Sequence, residues 1–176
     1  MKSTLKTIGV VAVLGWMIAG GAVPLAAQAT TKYLAIPANA LKPANWDADN
    51  RMWTASQTVF NFDTGATPPF EANAPVYLPQ GAVIKKVTFY FTDNDPAASG
   101  KIDFSLNRQK LSTGGLAPIA TASTGASATS ASRKSIDAAK VVVGKVDNLK
   151  FSYSLNVRFG LGTNLLKFHA AVIWYE

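Results

Sequence analysis

The feature that most constrains this chain is an unbroken alternation of apolar and polar residues over positions 149–159. The apolar members of the series are Leu149, Phe151, Tyr153, Leu155, Val157 and Phe159. Because side chains of a strand point alternately to opposite faces, the segment predicts a β-strand with one buried and one solvated face. A sheet that is wet on one side indicates antiparallel pairing and an all-β domain.

Other segments carry related strand signals. Residues 83–93 and 102–106 alternate in the same way, and we expect them to pair as a hairpin. Residues 165–175 are largely apolar on both faces, which predicts a central strand or a contact with a partner. Shorter apolar segments lie at 33–36 and 57–63, and turns rich in Gly, Pro and Asn separate them all. The pattern favours an antiparallel β-sandwich of the jelly-roll type.

Two stretches are weaker. Residues 116–122 form a strand pattern interrupted by Pro118, which predicts an edge strand or a bulge. Residues 121–135 consist almost entirely of small polar residues, alanine and glycine, and this composition predicts a flexible surface loop.

Residues 1–29 have the composition of a secretory signal peptide. Two lysines precede an apolar run over 8–19, and the segment ends Ala27-Gln28-Ala29, a small-x-small cleavage site. The uncharged segment 7–29 is interrupted by Gly9, Gly15, Gly20, Gly21 and Pro24, which disfavours the alternative of a membrane anchor. We therefore expect a cleaved signal peptide, a single domain over residues 30–176, and a secreted destination in the periplasm, on the cell surface or in the medium.

Charge and residue inventory exclude several classes of function. The net charge is +7, but adjacent basic residues occur only at Lys85-Lys86 and Arg133-Lys134, without the aromatic interleaving of nucleic-acid binders. We interpret the basic residues as a solvated surface, with weak attraction to an anionic cell-surface polymer as the secondary interpretation. With no cysteine and one histidine, His169, the chain cannot form a Cys–His pair or a multi-histidine metal site. We predict no enzyme activity, no catalytic or metal-binding residues and no cofactor.

Acidic residues leave two options open. A carboxylate pair for glycoside cleavage depends on separations in space that a sequence does not give. The acidic residues available for such a pair are Asp47, Asp49, Asp63, Glu71, Asp93, Asp95 and Asp103. The loops 47–50 and 93–95 also offer oxygen ligands for calcium, although neither has EF-hand spacing, and Asp in turns usually bonds its own backbone.

The most suggestive recognition feature is Trp46 and Trp53 with Arg51 between them. Aromatic faces beside a guanidinium are typical of carbohydrate or protein recognition, so these three are the predicted ligand-binding residues. The competing interpretation is that the tryptophans close one end of the sandwich core.

Several phrases occur together along the chain: IPANA at 36–40, LPQGAVI at 78–84 leading into VTFYFTD at 87–93, and VDN at 146–148 before YSL at 153–155. The set resembles a loose group of secreted bacterial β-sandwich proteins of unknown function. The resemblance implies a secreted β-sandwich similar to trimeric jelly-roll domains, and it carries over no catalytic or ligand-binding residue.

Three functional hypotheses follow. The first is a secreted, non-catalytic structural or surface-association module that forms oligomers and does not span a membrane. The second is a carbohydrate-binding, lectin-like module that uses Trp46 and Trp53. The third is a small outer-membrane β-barrel, with which the number of strands and the alternating pattern are compatible.

Overall fold

The computed structural model describes residues 30–44, 53–55, 58–62, 70–97, 100–125, 129–142 and 145–176, with the backbone alone for 53–55. These residues contain one 3-10 helix, Ala38–Ala40, and no helix long and apolar enough to cross a membrane. Their strands are β1 Lys32–Pro37, β2 Lys42–Pro43, β3 Trp53–Ala55, β4 Phe60–Phe62, β5 Glu71–Val76, β6 Ile84–Asp93, β7 Ile102–Lys110, β8 Leu116–Ser123, β9 Ser130–Asp137, β10 Phe151–Phe159 and β11 Leu166–Tyr175.

The strands form two antiparallel sheets packed face to face. The first sheet has the order β3-β4-β11-β6-β9, with β1 also paired to β11, and the second has the order β2-β5-β10-β7-β8. From β4 to β11 the eight strands give the orders 1-8-3-6 and 2-7-4-5, which is the jelly-roll arrangement. The predicted all-β, jelly-roll-like sandwich is confirmed. Two separate sheets also replace the single closed sheet that the third hypothesis requires.

The core lies between the sheets and consists of the apolar residues of the alternating strands. On β10, Tyr153, Leu155, Val157 and Phe159 are buried, as the alternation predicts, whereas Leu149 precedes the strand and is exposed. From the first sheet, β6 and β11 contribute buried Val87, Phe89, Phe168 and Ile173. On strands such as β5 and β10, alternation therefore separates a core face from an outer face, whereas β4 is buried throughout and β9 is almost wholly exposed. The outer faces carry the candidate sites.

The predicted hairpin between residues 83–93 and 102–106 is wrong. These residues belong to β6 and β7, which lie in different sheets: β6 pairs with β11 and β9, and β7 pairs with β10 and β8. The connection after Asp93 carries the chain across the sandwich. The two strands face each other through the core because each has a complementary partner in its own sheet.

The predicted flexible loop over residues 121–135 is also wrong for most of its length. β8 extends to Ser123, and β9 begins at Ser130 and pairs with β6. Most side chains of β9 are exposed. An edge strand needs backbone hydrogen bonds on one side only, so small polar residues suffice there even though they supply little apolar area for packing.

Two other expectations are confirmed. β8 is an edge strand, and its register with β7 shifts beside Pro118, as the proline predicts. β11 is central, with β6 on one side and β1 and β4 on the other, which accounts for the burial of one of its apolar faces.

Candidate functional site

The outer face of the second sheet carries charged residues in register. Arg158 on β10 lies opposite Glu71 on β5 and opposite Asp103 on β7. Its Nε is 3.5 Å from Glu71 Oε1, and Lys101 Nζ is 3.3 Å from Asp103 Oδ2. A cation thus stands between two carboxylates across three adjacent strands. All three point outward because Val157 and Phe104, one residue away, are drawn into the core.

Amides and hydroxyls form the next row of this face. Asn156 lies opposite Asn73 on one side and Ser105 on the other, and Ser105 lies opposite Thr121 on β8. The Asn156 Nδ2 group donates a 2.8 Å hydrogen bond to Asn73 Oδ1. The remaining lone pairs and protons of this row are directed to the outside of the sheet, where they can meet a polar ligand.

Together the rows form one groove, which we call the polar groove. Two adjoining depressions of about 600 and 680 Å³ share Glu71, Ser105, Thr121 and Asn156 as lining residues, so they are continuous across the sheet. Volumes of this order are typical of small-molecule sites. Leu116 and Pro118 of the edge strand contribute an apolar part of the wall.

Asn107 is the residue of the polar groove that most resembles a binding group. It lines the groove beside Ser154, which lies opposite it on β10. Only 6% of Asn107 is exposed, yet its side-chain amide makes no hydrogen bond to another residue of the described chain. Among the described residues, Trp174 Nε1 is the one side-chain atom that is fully enclosed without a partner, so the amide atoms of Asn107 open onto the groove and can bond a ligand or a water there.

His169 is a structural residue of β11. Its Nδ1 is 2.9 Å from the Thr58 carbonyl oxygen, so Nδ1 carries the proton and donates it, and Nε2 accepts from Thr92 Oγ1 at 2.9 Å. Burial lowers the pKa of His169, the hydrogen bond to Thr58 opposes this, and the charges of Arg133 and Lys167 lower the pKa further. Both ring nitrogens are engaged, so His169 is a hydrogen-bonded residue of the sheet.

The predicted ligand-binding cluster falls largely outside the described residues. Trp46 and Arg51 lie there, and of Trp53 the structure describes only the backbone, which pairs with Phe62 at the edge of the first sheet. The proposed grouping of the three residues therefore stays a prediction.

The acidic loops have a mixed outcome. Asp47, Asp49 and Asp63 lie outside the described residues. Asp93 accepts a hydrogen bond from the Thr124 hydroxyl, and Asp95 accepts one from the Ala97 amide at 2.8 Å. The Asp93 and Asp95 carboxylates thus bond to groups of the protein itself. The described residues contain no group of three or more His, Cys, Asp or Glu arranged to hold a metal ion.

The outer face of the first sheet carries a second surface of interest. Tyr33 on β1 packs against Trp174 on β11 with ring centroids 5.6 Å apart, and Val172 lies on the same face. Tyr33 is 66% exposed. The Trp174 Nε1 atom is buried without a hydrogen-bond partner in the described chain. This surface, the Tyr33–Trp174 face, remains partly apolar although β11 is central.

The residues of the polar groove are absent from the predicted ligand-binding set. In the sequence, the groove residues appear as the polar residues of alternating strands. Such residues are typical of any solvated sheet face. What distinguishes Asn107 and Arg158 is the residue opposite each of them, and register between distant strands is a property of the tertiary structure.

No protein-family model matches this chain, and no curated protein sequence matches it. Among solved structures, a family two carbohydrate esterase from Cellvibrio japonicus is similar at 8% identity and a TM-score of 0.43, over 84% of this chain and 35% of the esterase chain. This chain therefore spans about a third of the length of that protein.

Two binding modules are similar to the same degree. The xylan-binding module CBM15 has 9% identity and a TM-score of 0.47, over 82% of this chain and 96% of the module. A variant of the carbohydrate binding module CBM29-2 has 12% identity and a TM-score of 0.41, over 84% of this chain and 83% of the module. Likenesses at these identities and TM-scores identify neither a family nor a ligand for this chain.

Proposed function

We propose that this protein is an exported, non-catalytic binding module that holds an extended glycan in the polar groove. The observation that carries the proposal is Asn107, whose side-chain amide opens onto the groove and makes no hydrogen bond to another described residue. A glycan fits this requirement because each hydroxyl both donates and accepts hydrogen bonds, as the amide does.

The rest of the polar groove offers matching chemistry. Asn156 and Ser105 continue the line of donors and acceptors from Asn107, and Arg158 with its two carboxylates ends it. Leu116 and Pro118 offer an apolar wall against which the C–H face of a sugar ring can pack. Shallow polar grooves of this kind bind through several weak contacts, so we expect a ligand that spans more than one sugar unit.

The two carboxylates of the polar groove favour binding over cleavage. Glycoside hydrolysis needs one carboxyl group as a proton donor and a second as base or nucleophile. Glu71 is held by Arg158, and Asp103 is held by Lys101. Both carboxylates are thus engaged in ion pairs with side chains of the protein, and their oxygens can accept hydrogen bonds from sugar hydroxyls.

The test is a glycan-array screen followed by titration calorimetry of the best ligand. We expect Asn107→Ala and Asn156→Ala each to weaken binding by about tenfold, as loss of one or two hydrogen bonds requires. Asn164→Ala serves as the matched control, since Asn164 is an exposed asparagine in the turn before β11.

The same assay separates the polar groove from the predicted tryptophan cluster. Trp46→Ala and Trp53→Ala are titrated beside the groove variants. Binding lost only in the tryptophan variants would move the site out of the groove, and an array without any ligand would contradict the glycan proposal.

Self-association is a second candidate function, favoured by the Tyr33–Trp174 face. A partner subunit that covers this face would bury the exposed Tyr33 ring, which packs against Trp174. Light scattering coupled to size-exclusion chromatography tests it. Tyr33→Ser is expected to dissociate the assembly, and the exposed tyrosine variant Tyr77→Ser is the control; a monomer at all concentrations would contradict self-association.

A further inference from the structure

One end of the second sheet exposes four large apolar side chains together. Leu149 and Tyr77 are 84% and 81% exposed, and Leu111 and Leu116 are also exposed. β5 and β7 end here, and β8 and β10 begin here, as the pairings Val76 with Tyr153, Lys110 with Phe151 and Leu116 with Gln109 show. We call these four residues the apolar tip.

Hydrogen bonds hold the apolar tip in place. The Leu111 amide donates to the Lys150 carbonyl oxygen at 2.9 Å, which joins the turn after β7 to the turn before β10. The Asn148 amide and side chain donate to Gln80 Oε1 and to the Leu78 carbonyl oxygen at 2.6 and 2.8 Å. Leu111 and Leu149 thus lie on turns that hydrogen bonds fix to the rest of the sheet. Their exposure is therefore a property of the ordered structure.

Cations surround the apolar tip. Lys110 and Lys150 line a cleft of about 600 Å³ together with Leu111 and Leu149. The Arg108 guanidinium lies 4.6 Å from the centre of the Phe151 ring on the same end. Asp147, 3.5 Å from Lys150, is the neighbouring acid, and Lys110 forms no salt bridge within the described residues. The end is therefore both apolar and positively charged.

We infer that the apolar tip docks this domain on an anionic lipid bilayer without crossing it. Leucines enter the acyl boundary and lysines pair with acidic headgroups in such contacts, and tyrosine is common at the same depth. A second copy of the chain fits less well, because a tip-to-tip contact would place Lys110 and Lys150 against like charges. A soluble polyanion would need the lysines but not the leucines.

The inference does not depend on the glycan proposal. The polar groove runs over the outer face of the second sheet, whereas the apolar tip lies at one end of it, and the two surfaces share only Leu116. Leu111 and Leu149, which the test substitutes, do not line the groove. A domain seated by its tip would leave the groove open beside the membrane.

Co-sedimentation with sucrose-loaded vesicles tests the inference. The chain from Thr30 is used, because all described strands lie within residues 30–176 and the apolar run over 8–19 would itself bind lipid. We expect binding to vesicles of phosphatidylcholine mixed with phosphatidylglycerol and much weaker binding to phosphatidylcholine alone. Leu111→Ser with Leu149→Ser should lower the partition coefficient by about tenfold or more.

Matched substitutions at the opposite end control for non-specific effects. Leu165 is an exposed leucine just before β11, and Lys101 lies just before β7. Leu165→Ser should leave vesicle binding unchanged, whereas Lys110→Gln with Lys150→Gln should weaken it by about tenfold and Lys101→Gln should not. Circular dichroism of each variant verifies that it remains folded.

Two results would overturn the inference. The first is no binding to anionic vesicles. The second is binding that the leucine pair does not affect, which would indicate a purely electrostatic contact; full competition by soluble polyphosphate would then assign the end to a soluble polyanion.

Discussion

Phe89 on β6 and Phe104 on β7 stack face to face across the core, with ring centroids 4.8 Å apart and planes inclined by 8°. Each ring comes from a different sheet, and both side chains are almost fully buried. Phe91 and Phe168 pack around Phe104 as well. The contact joins two strands that are consecutive in the chain but share no backbone hydrogen bonds, and it fixes the sheets against each other.

The first prediction concerns this contact. Phe104→Ala should lower the free energy of unfolding by about 3–5 kcal/mol, because it removes a fully buried ring and leaves a cavity between the sheets. Ser105→Ala, one residue along on the outer face, should change it by no more than about 0.5 kcal/mol. Urea denaturation measures both, and an equal effect of the two substitutions would contradict the assigned faces of β7.

The second prediction concerns the connection between β6 and β7. A Cβ atom on Gly100 would lie 2.7 Å from Asp95 Cβ and 2.8 Å from its Cγ. Asp95 is buried and bonded to the Ala97 amide, so its side chain has little freedom to move. Gly100→Ala should therefore cost about 1–3 kcal/mol of stability.

The glycine control for that experiment is Gly115. A Cβ atom there meets nothing closer than Thr113 Oγ1 at 3.5 Å, an ordinary contact. Gly115→Ala should leave thermal stability unchanged or raise it slightly. Equal melting temperatures of the two alanine variants would show that the approach at Gly100 is not tight.

The third prediction is a pH dependence from His169. Burial lowers its pKa from the ordinary value of 6.5, so between that value and the folded pKa the unfolded chain binds more protons. The stabilisation is complete above pH 6.5 and is lost as the pH falls through the folded pKa. Denaturation of the wild type and His169→Gln across this range isolates the effect, since both share every other titration; identical pH profiles would contradict it.

The fourth prediction concerns Asp137. The hydrogen bond from Lys86 Nζ lowers its pKa, and a 2.7 Å hydrogen bond from Thr88 Oγ1 adds to the effect. Its contribution is present above pH 3.8 and is lost as the pH falls below that value. Asp137→Asn should cost at most about 1 kcal/mol at neutral pH, because the pair is half exposed.

Acid titration of the same variant checks the sign. The stability difference between the wild type and Asp137→Asn should shrink as the pH falls below 3.8, since protonated Asp137 no longer attracts Lys86. A difference that grows in acid would contradict the proposed ion pair.

Local pattern was sufficient for the class of this fold. The alternation at residues 149–159 identified β10 and its buried face, because a period of two is visible within one strand. Pro118 indicated an edge strand because proline has no amide proton and therefore cannot complete the hydrogen bonds of a central strand. The prediction of a flexible loop for the serine-rich stretch that contains β9 was wrong. Composition indicates how well side chains can pack and does not indicate whether the backbone pairs.

The same local patterns could not identify the candidate site. Sequence reasoning selected Trp46, Arg51 and Trp53 for their chemistry, whereas the polar groove consists of common residues whose meaning comes from their neighbours. Asn107 stands out only once the structure shows that its amide opens onto the groove and makes no hydrogen bond to another described residue. The apolar tip likewise needs four residues from separate turns to be brought to one end.

The sequence by itself determined an all-β chain and the buried face of β10, because side-chain alternation is a local property of the backbone. The tertiary structure alone decided that β6 and β7 part into different sheets and that Arg158 stands between Glu71 and Asp103. Strand pairing is decided by the closing of long connections and by the packing of two sheets around one core. Those energies belong to contacts between residues far apart in the chain, and no local period encodes them.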